Sequence, residues 1–136
     1  MARNALVDTG FLVALPSRRD AHHRWAASEA PGHALPWRTC EGVLSEAFHL
    51  LGPSGAAGLS ALLRRRAVVA AFDLDHDVES VLRLLQKYAD VPMSLADACL
   101  VRMTETLPDS IILTTDSDFR LYRRHSRQVV PCALPA

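Results

Sequence analysis

The chain has 136 residues, room for one ordinary domain spanning 1–136 and not for two. Hydrophobic residues make up 49% and charged residues 22%, which excludes disorder as a global description. Lys plus Arg is 15 and Asp plus Glu is 15, so the chain is not a polybasic binder.

Ala5-Leu6-Val7 is a short apolar run that ends abruptly in Asp8, and it reads as a buried strand. Phe11 to Leu15 predict a short helix closed near Pro16. Asp20 is placed to cap a helix over 21–30, ended by Pro31-Gly32. His33 to Trp37 predict a second strand. Thr39 is the expected N-cap of a helix over 40–51, whose Val43, Leu44, Ala47, Phe48 and Leu51 follow helical spacing. Gly52-Pro53 stops that helix, and 54–65 predict another. Ala67 to Phe72 predict a third strand, and Asp75 or Asp77 a cap for a helix reaching about Tyr88. Ser94 caps a helix over 95–106, Pro108-Asp109-Ser110 turns the chain, and Ile111-Ile112-Leu113 form a fourth strand. A last short strand is expected near 128–130. Short unalternating apolar strands between helices predict a parallel sheet covered on both faces.

Cys40, Cys99 and Cys132 are odd in number and far apart, so neither a disulfide framework nor a zinc ribbon fits. Cys40 and Cys99 read as small core residues, and a reducing cytoplasm is the expected location. No apolar run approaches the roughly 20 residues that span a bilayer, and Asp8 interrupts the N-terminal apolar stretch that a signal peptide would need.

In open parallel sheets, sites form beyond the carboxyl ends of strands where the strand order reverses. Two predicted strands here end in acids: Ala5-Leu6-Val7 in Asp8, and Ile111-Ile112-Leu113-Thr114-Thr115 in Asp116, with Asp118 two residues on. Were those strands neighbours, Asp8 and Asp116 would face one crevice; otherwise each merely caps the helix after it. Asp97 sits in a helix that is apolar nearly all round, where a carboxylate must be compensated. Ser94-x-x-Asp97 offers a capping box as its ordinary explanation, without excluding a second role. Glu46 lies about 130° from the centre of its helix's apolar stripe, as a solvated residue would. Gly42, one turn earlier on the same side, leaves room for another backbone or a ligand.

Taken together, V-D-T-G-F-L, E-G-V-L-S-E-A, S-L-A-D-A and L-T-T-D-S-D-F resemble the PIN-domain family, and more narrowly the bacterial and archaeal toxin ribonucleases called VapC. The resemblance runs from about Ala5 to Val130. It implies a three-layer α/β/α sandwich around a parallel sheet of roughly five strands. It matches Asp8, Glu46, Asp97 and Asp116 to the family's four acids, Asp118 to a further one, and Thr9 and Thr114 to hydroxyls that line its site. It further implies an endoribonuclease using one or two Mg²⁺ or Mn²⁺ ions, a homodimer, and a small antitoxin as partner.

Clustered carboxylates raise one another's pKa, and cations among them relieve that repulsion. Mg²⁺ and Mn²⁺ prefer oxygen ligands, so Asp8, Asp97, Asp116 and Asp118 are the candidate metal ligands, with Glu46 a ligand or a base. Setting aside Asp8, Glu46, Asp97, Asp116 and Asp118, 10 acids face 15 bases on the remaining surface. Arg120, Arg123 and Arg124 come directly after the last acids and are candidate RNA contacts, while Arg64, Arg65 and Arg66 form a second basic run.

Other patterns carry less. Asp73-x-Asp75-x-Asp77 opens like a calcium loop, but Val78 stands where Gly is needed and Leu84 where Glu is needed. His22 and His23 are adjacent, point to different faces of a helix, and read as surface residues. No phosphate-cradling glycine motif is present. Two other classes stay open: a PIN-like domain kept for binding alone, and a receiver-like domain phosphorylated at Asp73 or Asp75. The second lacks an acidic pair after strand one and a Lys after the last strand.

Overall fold

A computed structural model describes residues 3–136. Among the described residues seven strands appear: β1 (Asn4–Val7), β2 (Trp37–Thr39), β3 (Val68–Ala70), β4 (Ser110–Leu113), β5 (Arg123–Arg124), β6 (Gln128–Val129) and β7 (Cys132–Ala133). Five α-helices connect them: α1 (Thr9–Ala14), α2 (His23–Glu29), α3 (Glu41–Arg64), α4 (Leu74–Lys87) and α5 (Leu95–Thr106). Five strands form one sheet in the order β3-β2-β1-β4-β7, and every pair in it is parallel. The expected α/β/α sandwich is the observed fold.

The strand sequences explain this layering. β4 is buried along its whole length and β1 at Ala5, Leu6 and Val7, so both faces of the sheet are covered. Beside α1, Phe11 packs edge-on against Trp25 and Trp37, with ring centroids at 5.8 and 5.4 Å. A second aromatic cluster joins Tyr122 to Tyr88 and Phe119 at 5.1 and 5.3 Å. Cys40 and Cys99 are buried, as expected of small core residues.

Several boundaries differ from expectation. The second strand is Trp37–Thr39 and not His33–Trp37. Pro36 has no N–H for a ladder and Leu35 is exposed, so pairing begins only where Trp37 N donates to Ala67 O at 2.8 Å. Thr39 therefore ends the strand instead of capping α3, and its hydroxyl donates to Val7 O at 2.7 Å. Asp20 does not cap α2; its carboxylate accepts from His22 N, and the helix starts at His23. Asp73 caps α4 in place of Asp75 or Asp77, while Asp77 kinks the helix and pairs with Arg102 at 2.9 Å. The last predicted strand is real but belongs to the β5–β6 hairpin, and Cys132–Ala133 supplies the sheet's fifth strand.

The break at Gly52-Pro53 falls where the sequence puts it. Gly52 has φ +67°, a left-handed conformation that Gly adopts without steric cost, so α3 is two helical stretches across a kink. Ser94 caps α5 over the predicted range.

Candidate active site

The strand order turns at β1. From it the chain runs outward through β2 and β3 on one side, and β4 and β7 lie on the other. β1 and β4 are hydrogen-bonded neighbours in register from Asn4 opposite Ser110 to Val7 opposite Leu113. Their carboxyl ends thus open onto the crevice that such a reversal creates. A cavity of about 420 Å³ lies there, and Asp8, Glu46, Asp97 and Asp116 all line it.

Asp8 is the most buried of these acids, 7% exposed. It caps α1, and Thr9 N donates to its Oδ1 at 2.8 Å. Thr114 Oγ1 donates to its Oδ2 at 2.6 Å and accepts from Asp116 N at 3.0 Å. One hydroxyl thereby sets the spacing of two acids. Thr9 Oγ1 lies 3.5 Å from Val43 O and does not reach the carboxylate. The Asp8 carboxyl is pushed up to about 6: burial raises it most, the hydrogen bonds from Thr114 and Thr9 pull it down, and the charges of Asp97 and Asp116 add to the rise.

Asp97 performs the capping role that its spacing predicts. Its N–H donates to Ser94 Oγ at 3.0 Å, and its Oδ2 accepts from Ser94 N at 3.3 Å. That same Oδ2 accepts from Tyr122 Oη at 3.1 Å. Its carboxyl is raised by burial, opposed by the Ser94 and Tyr122 hydrogen bonds, and raised again by Asp116. Capping therefore leaves Asp97 within the field of the other acids. Burial and the Asp97 charge in turn hold the Tyr122 hydroxyl protonated well above its usual range.

Asp116 caps the 3-10 turn Ser117–Arg120 through Asp118 N, at 2.9 Å. Glu46 is exposed on the cavity rim. Gly42 makes the close approach possible: a Cβ there would stand 3.3 Å from the Ala96 Cβ, so α3 and the start of α5 meet at that point. Asp118 does not line the cavity and lies beside Tyr122, whose hydroxyl feels its charge.

The candidate RNA contacts lie elsewhere. Arg123 Nη1 caps the carbonyls of Arg120 and Tyr122, Arg124 Nη1 donates to Thr104 O, and Arg120 is exposed. None of the three lines the acid cavity. Arg64, Arg65 and Arg66 precede β3, at the amino ends of the parallel strands and so at the opposite end of the sheet. Asp73 comes after edge strand β3, two strands from β1, and does not line the acid cavity.

Sequence reasoning missed several cavity residues. Asp20, His22, Ser94 and Thr115 also line it. His22 is half-buried there, at the surface but inside the cavity, while His23 Nδ1 donates to Ala14 O at 2.9 Å. Tyr122 was missed because nothing local marks it. The Asx turn that holds His22 N on Asp20 is the one available signal, and in sequence it is indistinguishable from a helix cap.

A family model for the PIN domain matches residues 5–124. The chain belongs to the PIN-domain family. A search of curated proteins returns no significant match. PIN domains are nucleases in general, and they typically use divalent metal ions, so membership gives this chain a nuclease-type function on a nucleic-acid substrate. The acid cavity of this PIN domain suits such an ion by donor chemistry, since its carboxylates are all hard oxygen ligands, and Asp8 and Asp97 are close enough to other acids to have their carboxyls pushed up by them. Among the described residues, no three acidic, His or Cys side chains close on one point as they lie. No helix among the described residues is long and apolar enough to cross a membrane.

Proposed function

We propose that this PIN domain is a Mg²⁺- or Mn²⁺-dependent endoribonuclease, the toxin of a toxin–antitoxin pair. The observation that carries the reading is the convergence of Asp8, Glu46, Asp97 and Asp116 on one cavity at the sheet's reversal point. Asp8, Asp97 and Asp116 would hold one or two ions, with Glu46 completing the set or orienting water, while Asp118, outside the cavity lining, would act on the ions only from behind Asp116. A divalent ion, when bound, supplies Lewis acidity and neutralises charge at the scissile phosphate.

The chain's own groups do the positioning. Thr114 Oγ1 and Thr9 N hold both oxygens of Asp8, so that carboxylate keeps one orientation. Tyr122 Oη and Ser94 N hold Asp97 Oδ2 and leave Oδ1 free to accept. Exposed Glu46 carries no internal hydrogen bond among the described residues, so its carboxylate is available to take a proton from an attacking water.

The same reading implies two partners. An Arg from an antitoxin tail would pair bidentately with the acid cavity and silence it. A second copy would cover the apolar groove of about 190 Å³ between α1 and the second stretch of α3, lined by Leu12, Leu15, Leu59 and Leu62. Phe11, Leu12 and Leu59 are themselves core residues, which leaves the half-buried Leu15, Leu62 and Leu63 as the accessible part of that face.

The deciding experiment is cleavage of a panel of structured and unstructured RNAs with Mg²⁺, Mn²⁺ or EDTA. Cleavage restored by either ion and abolished in Asp116→Asn is expected. Cleavage insensitive to EDTA, or none with any ion, would overturn the proposal.

A further inference from the structure

The acid cavity repels a phosphate backbone, so a nuclease reading requires a cationic surface for the strand elsewhere. The structure holds one outside the acid site. A cavity of about 290 Å³ lies between α4, α5 and the β5–β6 hairpin, lined by Arg83, Lys87, Arg102, Arg123 and His125, with Glu105 as its one carboxylate.

Internal pairing does not cancel its charge. Both oxygens of Glu105 are occupied, Oε1 by Arg102 Nη1 at 3.1 Å and Oε2 by His125 N at 2.7 Å. Arg102 is further taken by Asp77. Arg83 has no hydrogen bond or ion-pair partner among the described residues, and Lys87 uses one of its three donors on Ser126 O at 2.8 Å. Two exposed cations thus face solvent on one side of α4, four residues and one turn apart.

The rim of this cavity is built and held. His125 and Ser126 have φ of +48° and +68°, two successive non-Gly residues in the left-handed region. Such strain persists only where surrounding contacts over-determine it. Here Lys87 grips Ser126, Glu105 grips His125, and Tyr88 Oη accepts from Arg123 N at 2.8 Å. The path back to the acids is short. Tyr122, bonded to Asp97, precedes Arg123 in the chain, and eight residues of α5 from Asp97 to Glu105 span about 12 Å.

We propose that this cavity is a backbone-phosphate subsite for single-stranded RNA, a few nucleotides from the scissile bond, with Arg83 and Lys87 as its free contacts. The proposal rests on the nuclease reading above. A strand engaged at the acid cavity continues along α5, and its next phosphates meet these cations.

The test measures binding of a fluorescent single-stranded RNA, kept intact by EDTA, to the wild-type chain, Arg83→Glu, and Arg83→Ala with Lys87→Ala, over a salt series. Each cation removed from a single-strand phosphate makes the slope of log K against log salt shallower by about 0.7, so the double variant should be shallower by about 1.4. Arg83→Glu alters a side chain that bonds nothing, so it reads the subsite even if loss of the Lys87 tether unfolds the double variant. Its expected result is a slope shallower by at least 0.7, on the same single-strand scale. Equal slopes in the wild type and Arg83→Glu overturn the subsite. Inorganic phosphate, or a poly-glutamate peptide, that raises the melting temperature of the wild type but not of Arg83→Glu, with the RNA slope unchanged, assigns the cavity to a free anion or an acidic protein and overturns the strand. Failure of the nuclease reading is distinct: the wild type would then neither cut nor bind RNA, and the strand assignment would fall with it.

Discussion

Tyr122 Oη donates to Asp97 Oδ2 at 3.1 Å, across 25 residues of sequence. That bond ties the segment after β4 to the acid on α5. Tyr122→Phe keeps the edge-on packing with Tyr88 and Phe119 and removes only the hydroxyl. A hydrogen bond to a charged group contributes about 1.5–3 kcal/mol. Thermal denaturation in EDTA should show a loss near the lower end, since the pair is only part-buried. An unchanged melting temperature would mean that the hydroxyl does not hold Asp97.

Asp97→Asn separates capping from chemistry. Asn presents the same oxygen to Ser94 N and Tyr122 Oη, so the fold should survive. Loss of the negative charge should lower RNA cleavage by orders of magnitude, because the ion is held by charge. Asp97→Ala should cost about 1 kcal/mol more through the lost cap. A folded Asp97→Asn chain with wild-type cleavage contradicts the ligand role.

Asp8 sets an unusual pH dependence. Its folded carboxyl titrates at about 6, above the usual value of 3.8. Between those values the folded chain binds more protons than the unfolded one, so this group's contribution to stability falls as pH rises. The loss reaches on the order of 3 kcal/mol by neutral pH. In EDTA the melting temperature should therefore be higher at pH 5.5 than at 7.5, and Asp8→Asn should flatten the difference. Millimolar Mn²⁺ should stabilise at pH 7.5 and less at pH 5.5, where protons compete for the same oxygens. A melting temperature that rises steadily with pH would contradict this.

Gly10 leaves room for Thr115. A Cβ at position 10 would collide with the Thr115 hydroxyl and stand 3.1 Å from its Cβ. Gly10→Ala should destabilise by about 1–3 kcal/mol, the range for overpacking. Adding Thr115→Ala should recover most of it, and a double-mutant cycle measures the coupling. Additive effects would place the clash elsewhere.

The groove between α1 and α3 makes a prediction about assembly. Light scattering should show a dimer at tens of micromolar, with about 800 Å² buried per partner. Leu62→Glu should give a folded monomer. A wild-type monomer at that concentration rules out this interface.

Local rules made much of the fold legible. Apolar triplets marked β1 and β4, Gly52-Pro53 marked the kink in α3, and Ser94-x-x-Asp97 marked the start of α5. Each is a propensity or cap acting within about four residues. Boundaries failed where a competing local choice existed. Pro36 delayed β2, and Asp73 outcompeted Asp75 and Asp77 as the cap of α4.

What the sequence alone determined is the set of chemistries: acids at strand ends, hydroxyls beside them, and a basic excess on the rest of the surface. Tertiary structure alone decided which of these meet. Thr114 reaches Asp8 across 106 residues because β4 pairs with β1, and no local signal encodes that pairing. The same packing sorted the arginines. Arg64–Arg66 went to the amino ends of the strands, Arg124 went onto Thr104 O, and Arg83 and Arg123 came together beside Lys87. Charge patterning along a chain is one-dimensional, whereas proximity is set by strand order and helix crossing. The acids could be read as candidates from the sequence, but the cationic cavity on α4 and α5 could be found only in the fold.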